Sequence, residues 1–177
     1  MKKVYAFIDS QNLNLGTLSS IFRKRKLVYR GWKLDFKKFR IYLRDKYDVA
    51  KVFLFIGYVN KNKKLYNSLR KWDYILIFKP TIEYFDSKTK KKKAKGNVDA
   101  ELVLHTMIEY KNYDYAIIAS GDGDFRCLVE YLNNEGKLLK LIIPNEKMYS
   151  RLLSIFNLKI IFLNNLREKL MKKGGVT

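Results

Sequence analysis

The chain reads as an α/β domain with a mainly parallel central sheet of five or six strands flanked by helices. Three observations predict this. Short apolar, β-branched and aromatic runs alternate with segments of helical periodicity along the 177 residues. The runs are apolar without strict alternation, the pattern of strands buried on both faces beneath crossover helices. Hydrophobic residues make up 47% of the chain, core enough for one domain of ordinary size in a chain too short for two.

Residues 4–8 (VYAFI) form the first strand. Residues 34–45 (LDFKKFRIYLRD) form a helix, with Leu34, Phe36, Phe39, Ile41, Tyr42 and Leu43 at roughly helical spacing. Residues 49–58 (VAKVFLFIGY) give a second strand, 63–72 a short helix, and 74–78 (YILIF) a third strand stopped by Pro80. The lysine-rich stretch 87–96 (SKTKKKKAKG) is too polar to pack and is expected to be a mobile loop. Asn97 is placed to cap a helix over 98–110, which feeds a fourth strand at 115–119 (YAIIA). A helix over 124–136 ends at Gly136 and leads to a fifth strand, 138–143 (LLKLII). A short helix near 147–155, a small strand at 159–162 (KIIF) and a final helix over 163–173 precede a loose GGVT tail. Residues 1–165 then make one domain, and 166–177 the helix end and tail.

The formal charge is +20, from 37 basic and 17 acidic side chains. Such an excess favours a polyanionic partner, above all nucleic acid. Part of it also fits an AT-rich coding sequence, with 28 lysines against 9 arginines and many Asn, Ile and Tyr. Cys127 is the only cysteine, which rules out an internal disulfide and a cysteine zinc cluster. Its apolar neighbours at helical spacing predict a buried side chain. No apolar run approaches the roughly 18 residues of a membrane span, and MKKVYAFIDS meets Asp9 too early for a signal peptide. A cytoplasmic protein with no membrane partner is expected.

Against so basic a background, SGDGDF (120–125) puts two aspartates one residue apart at the end of the fourth strand. At ~5 Å and an effective dielectric of ~20, a like-charged pair costs roughly 3 kcal/mol, so something must offset it. In open α/β sheets, ligands bind at the carboxyl ends of strands where the strand order reverses. Asp9 follows the first strand, Asp122 and Asp124 follow the fourth, and Asp99 lies in the first turn of the helix between the third and fourth. If the first and fourth strands are neighbours, four carboxylates meet at one edge. A hard divalent cation, Mg²⁺ or Mn²⁺, accounts for that set, since it takes oxygen ligands and joins carboxylates to substrate phosphates. The plainer alternative has Asp124 capping its helix and Asp122 binding turn amides.

Other schemes fail. The chain has no GxxxxGK[ST] phosphate loop, GDGDFR lacks the last glycine of GxGxxG, and DGDF lacks the later ligands of an EF-hand. His105, in mid-helix, is expected to be structural, because a metal-activated water needs no histidine base.

FIDSQNL (7–13), KGNVDAEL (95–102) and IIASGDGDF (117–125), in this order and spacing, resemble the three signature blocks of NYN domains. The likeness is to the LabA-like (DUF88) branch and covers roughly residues 3–145. It implies a three-layer PIN-like, Rossmann-like fold and a metal-dependent ribonuclease. Asp9, Asp99, Asp122 and Asp124 fall on the family's acidic metal-binding positions. Asn12 falls on the asparagine of the first block, and Ser120 on the small hydroxyl residue that begins SGDxDF.

The function expected is hydrolysis of RNA phosphodiester bonds, with Asp9, Asp99, Asp122 and Asp124 as catalytic ligands of Mg²⁺ or Mn²⁺. Asn12 and Ser120 would orient a ligand, a water or the scissile phosphate. Arg126, Lys91, Lys92 and Lys93, with RKRK (23–26), are candidate contacts to the RNA backbone. Tyr29, Trp32 and Tyr84 lie near these basic runs and can stack bases or, equally, pack in the core. The alternatives are an RNA-binding module without turnover, and a metal-dependent DNA nuclease or phosphatase on the same site. The sequence leaves a homodimer open.

Overall fold

The computed structural model describes residues 2–79, 82–86, 91–95 and 99–176, with the side chains of 82–86, 91–95, 175 and 176 outside that description. The chain opens with β1 (Val4–Asp9) and α1 (Ser10–Leu18), a hairpin of β2 (Ile21–Arg23) and β3 (Lys26–Tyr29), a short β4 (Trp32–Leu34) and α2 (Phe36–Tyr47). Then come β5 (Val49–Gly57), α3 (Lys63–Lys71), β6 (Ile75–Lys79) and a second hairpin, β7 (Ile82–Asp86) with β8 (Lys91–Lys95). α4 (Asp99–Ile108), β9 (Tyr115–Ala119), α5 (Arg126–Asn134) and β10 (Leu138–Ile143) follow. β11 (Ile160–Phe162), α6 (Arg167–Leu170) and β12 (Met171–Val176) complete it.

The central sheet has six parallel strands in the order β11-β10-β9-β1-β5-β6. The chain builds outward from β1 through β5 to β6, then returns to the other side of β1 with β9. The order therefore reverses between β1 and β9, the place where such sheets bind ligands.

Alternation along the strands divides the core into two layers. Val4, Ala6 and Ile8 of β1 face Leu13 of α1, Phe39 and Leu43 of α2 and Leu69 of α3. Tyr5 and Phe7 face the opposite side, with Leu102 of α4 and Leu128, Val129 and Leu132 of α5. Helices thus cover both faces of the sheet, as the unbroken apolar strands predict.

α2 shows how local sequence sets an element's limits. Asp35 caps it by accepting from the amides of Lys37 and Lys38, and Asp48 closes it in the left-handed region at φ 52°. No helix among the described residues is long and apolar enough to cross a membrane.

Four local expectations need correction. Residues 91–95 are not loop but strand β8, paired antiparallel with β7 from Ile82↔Lys95 to Asp86↔Lys91. A two-stranded ribbon satisfies its backbone without burying a face, so lysine content does not forbid it. Residues 87–90, with Pro80 and Asn97, lie outside the described residues.

The predicted final helix is a 3₁₀ turn, Leu163–Leu166, followed by the four-residue α6. Beyond it the supposedly loose tail is β12, antiparallel to β4 in the register Met171↔Leu34 and Val176↔Trp32. The unpaired edge of β4 offers it hydrogen-bond partners, and Gly174 takes up φ 75° between the paired ends.

Cys127 is exposed. The buried stripe of α5 runs through Leu128, Val129 and Leu132, which turns Cys127 outward.

Candidate metal centre

β1 and β9 are neighbours in the register Ile8↔Ala119, so Asp9 and Ser120 leave the sheet side by side. Asp9 caps α1, its Oδ1 accepting from the amides of Gln11 and Asn12 at 3.0 Å each. Its Oδ2 accepts from the Ser120 hydroxyl at 3.4 Å. The same hydroxyl oxygen accepts from the amide of Asp122 at 3.2 Å, and Asp122 Oδ1 accepts from the amide of Asp124 at 3.1 Å. Asn12 Oδ1 accepts from the amide of Gly121 at 2.7 Å. The two motifs, FIDSQN and SGDGDF, are thereby laced together by side chain and backbone.

Asp99 reaches the same place from the first turn of α4. One carboxylate oxygen each from Asp99, Asp122 and Asp124 lies within 4.8 Å of the others. Around an ion with ~2.1 Å bonds, octahedral ligands stand about 3 Å apart when adjacent and about 4.2 Å when opposite. Side-chain rotation of under about 1 Å would therefore seat all three. The donors are all carboxylate oxygens, which suits a hard divalent cation rather than zinc or another metal of softer taste.

Asp9 is not among the carboxylates that lie within 4.8 Å of one another, though the charge of Asp99 reaches it. It is 4% exposed, and it meets the trio's loop through Ser120. Burial pushes its carboxyl above the ordinary carboxylate value, and the charge of Asp99 pushes the same way. The amides of Asn12 and Gln11 and the Ser120 hydroxyl pull it down. Asp9 therefore feels Asp99 electrostatically while its own oxygens hold the turn.

The capping alternative holds for one of its two residues: Asp122 binds a turn amide, that of Asp124, as that reading has it, while Asp124 does not cap its helix. Asp122, not Asp124, is the capping side chain, and it caps a 3₁₀ turn, Gly123–Phe125, ahead of α5. Asp124 is exposed and free of any capping role at α5, whose N-cap is Phe125 without a side-chain hydrogen bond.

Ser120 is 1% exposed, so its contacts are with the acids; Asn12 is half-buried and reaches an open cleft. Arg126 is exposed, with its guanidinium 3.9 Å from Glu130 one turn along α5. Lys91, Lys92 and Lys93 lie on β8, with side chains outside the described residues, as is that of Tyr84. Trp32 is fully buried and donates to the Tyr29 hydroxyl at 2.6 Å, so it packs in the core and is not available to stack on a base. His105 is half-buried, with its ring 5.7 Å from that of Phe55.

The open cleft has a volume of about 470 Å³ and is lined by Asn12, Gly121, Asp122, Gly123, Met148, Tyr149 and Ser150. Sequence reasoning missed its second wall, Met148–Ser150. The available signal was topological: β10 lies beside β9, so the turn after β10 must border the turn after β9.

The family model of the NYN domain matches residues 3–164, a span that holds all four aspartates. No curated protein matches the chain. Among solved structures, a protein of unknown function from Vibrio parahaemolyticus superposes with a TM-score of 0.69 at 20% identity, over 97% of this chain and 97% of that one. That likeness is one of fold.

Proposed function

The chain belongs to the NYN domain family, and from that premise we propose that it is a metal-dependent ribonuclease hydrolysing RNA phosphodiester bonds. NYN domains are part of the PIN-like nuclease superfamily, are usually nucleases, and depend on metal for that activity. The observation that carries the proposal is the convergence of Asp99, Asp122 and Asp124, within 4.8 Å, at the strand-order reversal of a chain with charge +20. Three like charges held together repel one another, a cost that a bound cation offsets, and the excess of positive charge on the chain draws a polyanion.

In this reading Asp99, Asp122 and Asp124 hold Mg²⁺ or Mn²⁺, with Asp9 behind them. Held by these carboxylates, a cation would supply a water of lowered pKa and stabilisation for charge on the phosphoryl oxygens. Ser120 fixes Asp9 against the backbone of Asp122, and Asn12 fixes the Gly121 amide, so the carboxylates are positioned before substrate arrives. The cleft beside Asp122 admits the scissile phosphate, with Tyr149 and Met148 as its apolar wall. Arg126, and the lysines of β8, take neighbouring phosphates in a sequence-blind, salt-sensitive way.

The test is cleavage of a labelled single-stranded RNA in Mn²⁺, in Mg²⁺ and in EDTA, by the wild type and by Asp122→Asn purified identically. DNA and small phosphate esters run as competing substrates. Cutting that needs metal, prefers RNA and is lost in the variant supports the proposal. RNA bound but never cut under any divalent ion overturns it.

A further inference from the structure

Residues 10–34 contain no acidic side chain, yet they carry Arg23, Lys24, Arg25, Lys26, Arg30 and Lys33. Four of these cations crowd the tip of the β2–β3 hairpin. Lys24 and Arg25 form its turn at φ 46° and 64°, the left-handed pair that a two-residue hairpin turn requires and that Asn-Gly ordinarily supplies. Two long cations occupy a position where strain argues for something smaller. Residues 22–28 are exposed throughout.

Phe22 and Leu27 are cross-strand partners, so they share one face of the ribbon, and they are 63% and 44% exposed. The next cross-strand pair, Arg23 and Lys26, alternates to the opposite face, and Lys24 and Arg25 lie at the tip between the two faces. An apolar face edged by cations suits a partner that offers anions and flat apolar faces together. Single-stranded nucleic acid does so, through its phosphates and unpaired bases. A second copy of this chain would set four cations against four.

The base of the hairpin stands at the end of the sheet that carries the aspartates. α1 is capped by Asp9, and a Cβ on its Gly16 would lie 2.7 Å from Pro144 Cβ. Pro144 follows the last residue of β10, parallel to β9 and β1. Asn145 Nδ2 donates to the Gly16 carbonyl at 3.2 Å, fastening α1 there. Gly31 packs on the Leu18 backbone and donates to Ser20 Oγ at 2.9 Å, which ties the hairpin's two legs to the end of α1.

We infer that the β2–β3 hairpin is a clamp for single-stranded RNA leaving the cleft. Arg23, Lys24, Arg25 and Lys26 bind its phosphates, and Phe22 with Leu27 stack on an unpaired base. The inference rests on the ribonuclease reading and deepens it: the substrate is a single strand long enough to run from the cleft to the hairpin.

The experiment is fluorescence anisotropy of labelled 4-nucleotide and 20-nucleotide single-stranded RNA in Ca²⁺, across a series of KCl concentrations. It compares the wild type, the fourfold variant Arg23→Gln, Lys24→Gln, Arg25→Gln, Lys26→Gln, and Phe22→Ala. For the 20-nucleotide RNA, the fourfold variant lowers the salt slope by up to about 3, since each phosphate released from a single strand contributes about 0.7. Phe22→Ala weakens that RNA about tenfold with the slope kept, within the range for one lost stacking contact. Both leave the 4-nucleotide RNA unchanged. Wild-type binding of the long RNA that neither variant alters overturns the clamp and leaves the nuclease reading standing. No RNA binding by the wild type overturns both. Loss of self-association in Phe22→Ala, with RNA affinity kept, assigns the hairpin to a second copy and overturns the clamp.

Discussion

Asn12 Oδ1 accepts the Gly121 amide at 2.7 Å across 109 residues of sequence. This bond joins the first turn of α1 to the loop bearing Asp122 and Asp124. Removing the acceptor leaves a buried N–H without a partner, at a cost of about 1–3 kcal/mol. Asn12→Ala should lower Tm by several degrees. It should also reduce metal-dependent turnover by about 10–100-fold, the range for groups that orient metal ligands. Turnover is to be measured well below the variant's own Tm, where all of it is folded. Wild-type turnover there would show that the bond serves stability alone.

Asp9 gives a pH dependence with a definite sign. Burial raises its pKa in the folded protein above the ordinary value, so the folded state holds the proton more tightly than the unfolded state. Its favourable contribution is complete below the unfolded value and is lost as pH rises through the folded one. At neutral pH and without metal, the ionised carboxylate therefore costs stability. Asp9→Asn removes the charge and keeps a good cap for α1. In EDTA at pH 7 the variant should melt higher, by about 2–4 °C if the gain is near 1 kcal/mol, and the gain should vanish as pH falls below the ordinary carboxylate value. A lower Tm at pH 7 would mean that the amides and Ser120 fully compensate the charge.

Gly123 and Ser150 line the cleft and pack against each other. A Cβ on Gly123 would stand 2.9 Å from Ser150 Cβ and overlap its hydroxyl, and that hydroxyl caps the 3₁₀ turn Arg151–Lys159. Gly123→Ala should cost about 1–3 kcal/mol, as overpacking usually does. Adding Ser150→Gly should return much of the Tm. A double variant no more stable than the single one would place the strain in the backbone of Gly123 itself.

The sheet is legible in the sequence because Phe7 and Ile8 point to opposite layers and are both fully buried. Strands of that kind are apolar at every position, and their alternation with helices dictates parallel order. The adjacency of Asp9 and SGDGDF then follows from that order alone. Residues 10–34 resist reading for the opposite reason. α1 buries Ser10, Leu13, Gly16 and Thr17, mostly small residues set against Pro144 and the β1 turn, so no apolar stripe announces it. The β2–β3 turn uses Lys24 and Arg25 where Asn-Gly would give the signal. β4 is three residues long, and its partner β12 lies at the far end of the chain; no local pattern records such a pairing. At the site, residue types identify the four acids, but only geometry separates the trio from Asp9. Met148–Ser150 carry no motif, and their place depends on where β10 falls.

Cys127 offers a check on the surface of the α5 region that is independent of activity. It is exposed, next to Arg126 and two residues beyond the turn that Asp122 caps. A disulfide reagent such as 5,5′-dithiobis(2-nitrobenzoate) should therefore titrate one thiol per chain in the native protein, at the same stoichiometry as in denaturant. Since the side chain fills no core space, Cys127→Ser should leave stability within about 0.5 kcal/mol of wild type, as surface substitutions do. A thiol that reacts only after unfolding would mean that α5 is rotated from the orientation described, with Cys127 in the stripe held by Leu128, Val129 and Leu132. Because α5 follows directly from Asp122 and Asp124, such a rotation would also displace the two aspartates from Asp99. The same titration thus tests the frame on which the metal centre depends.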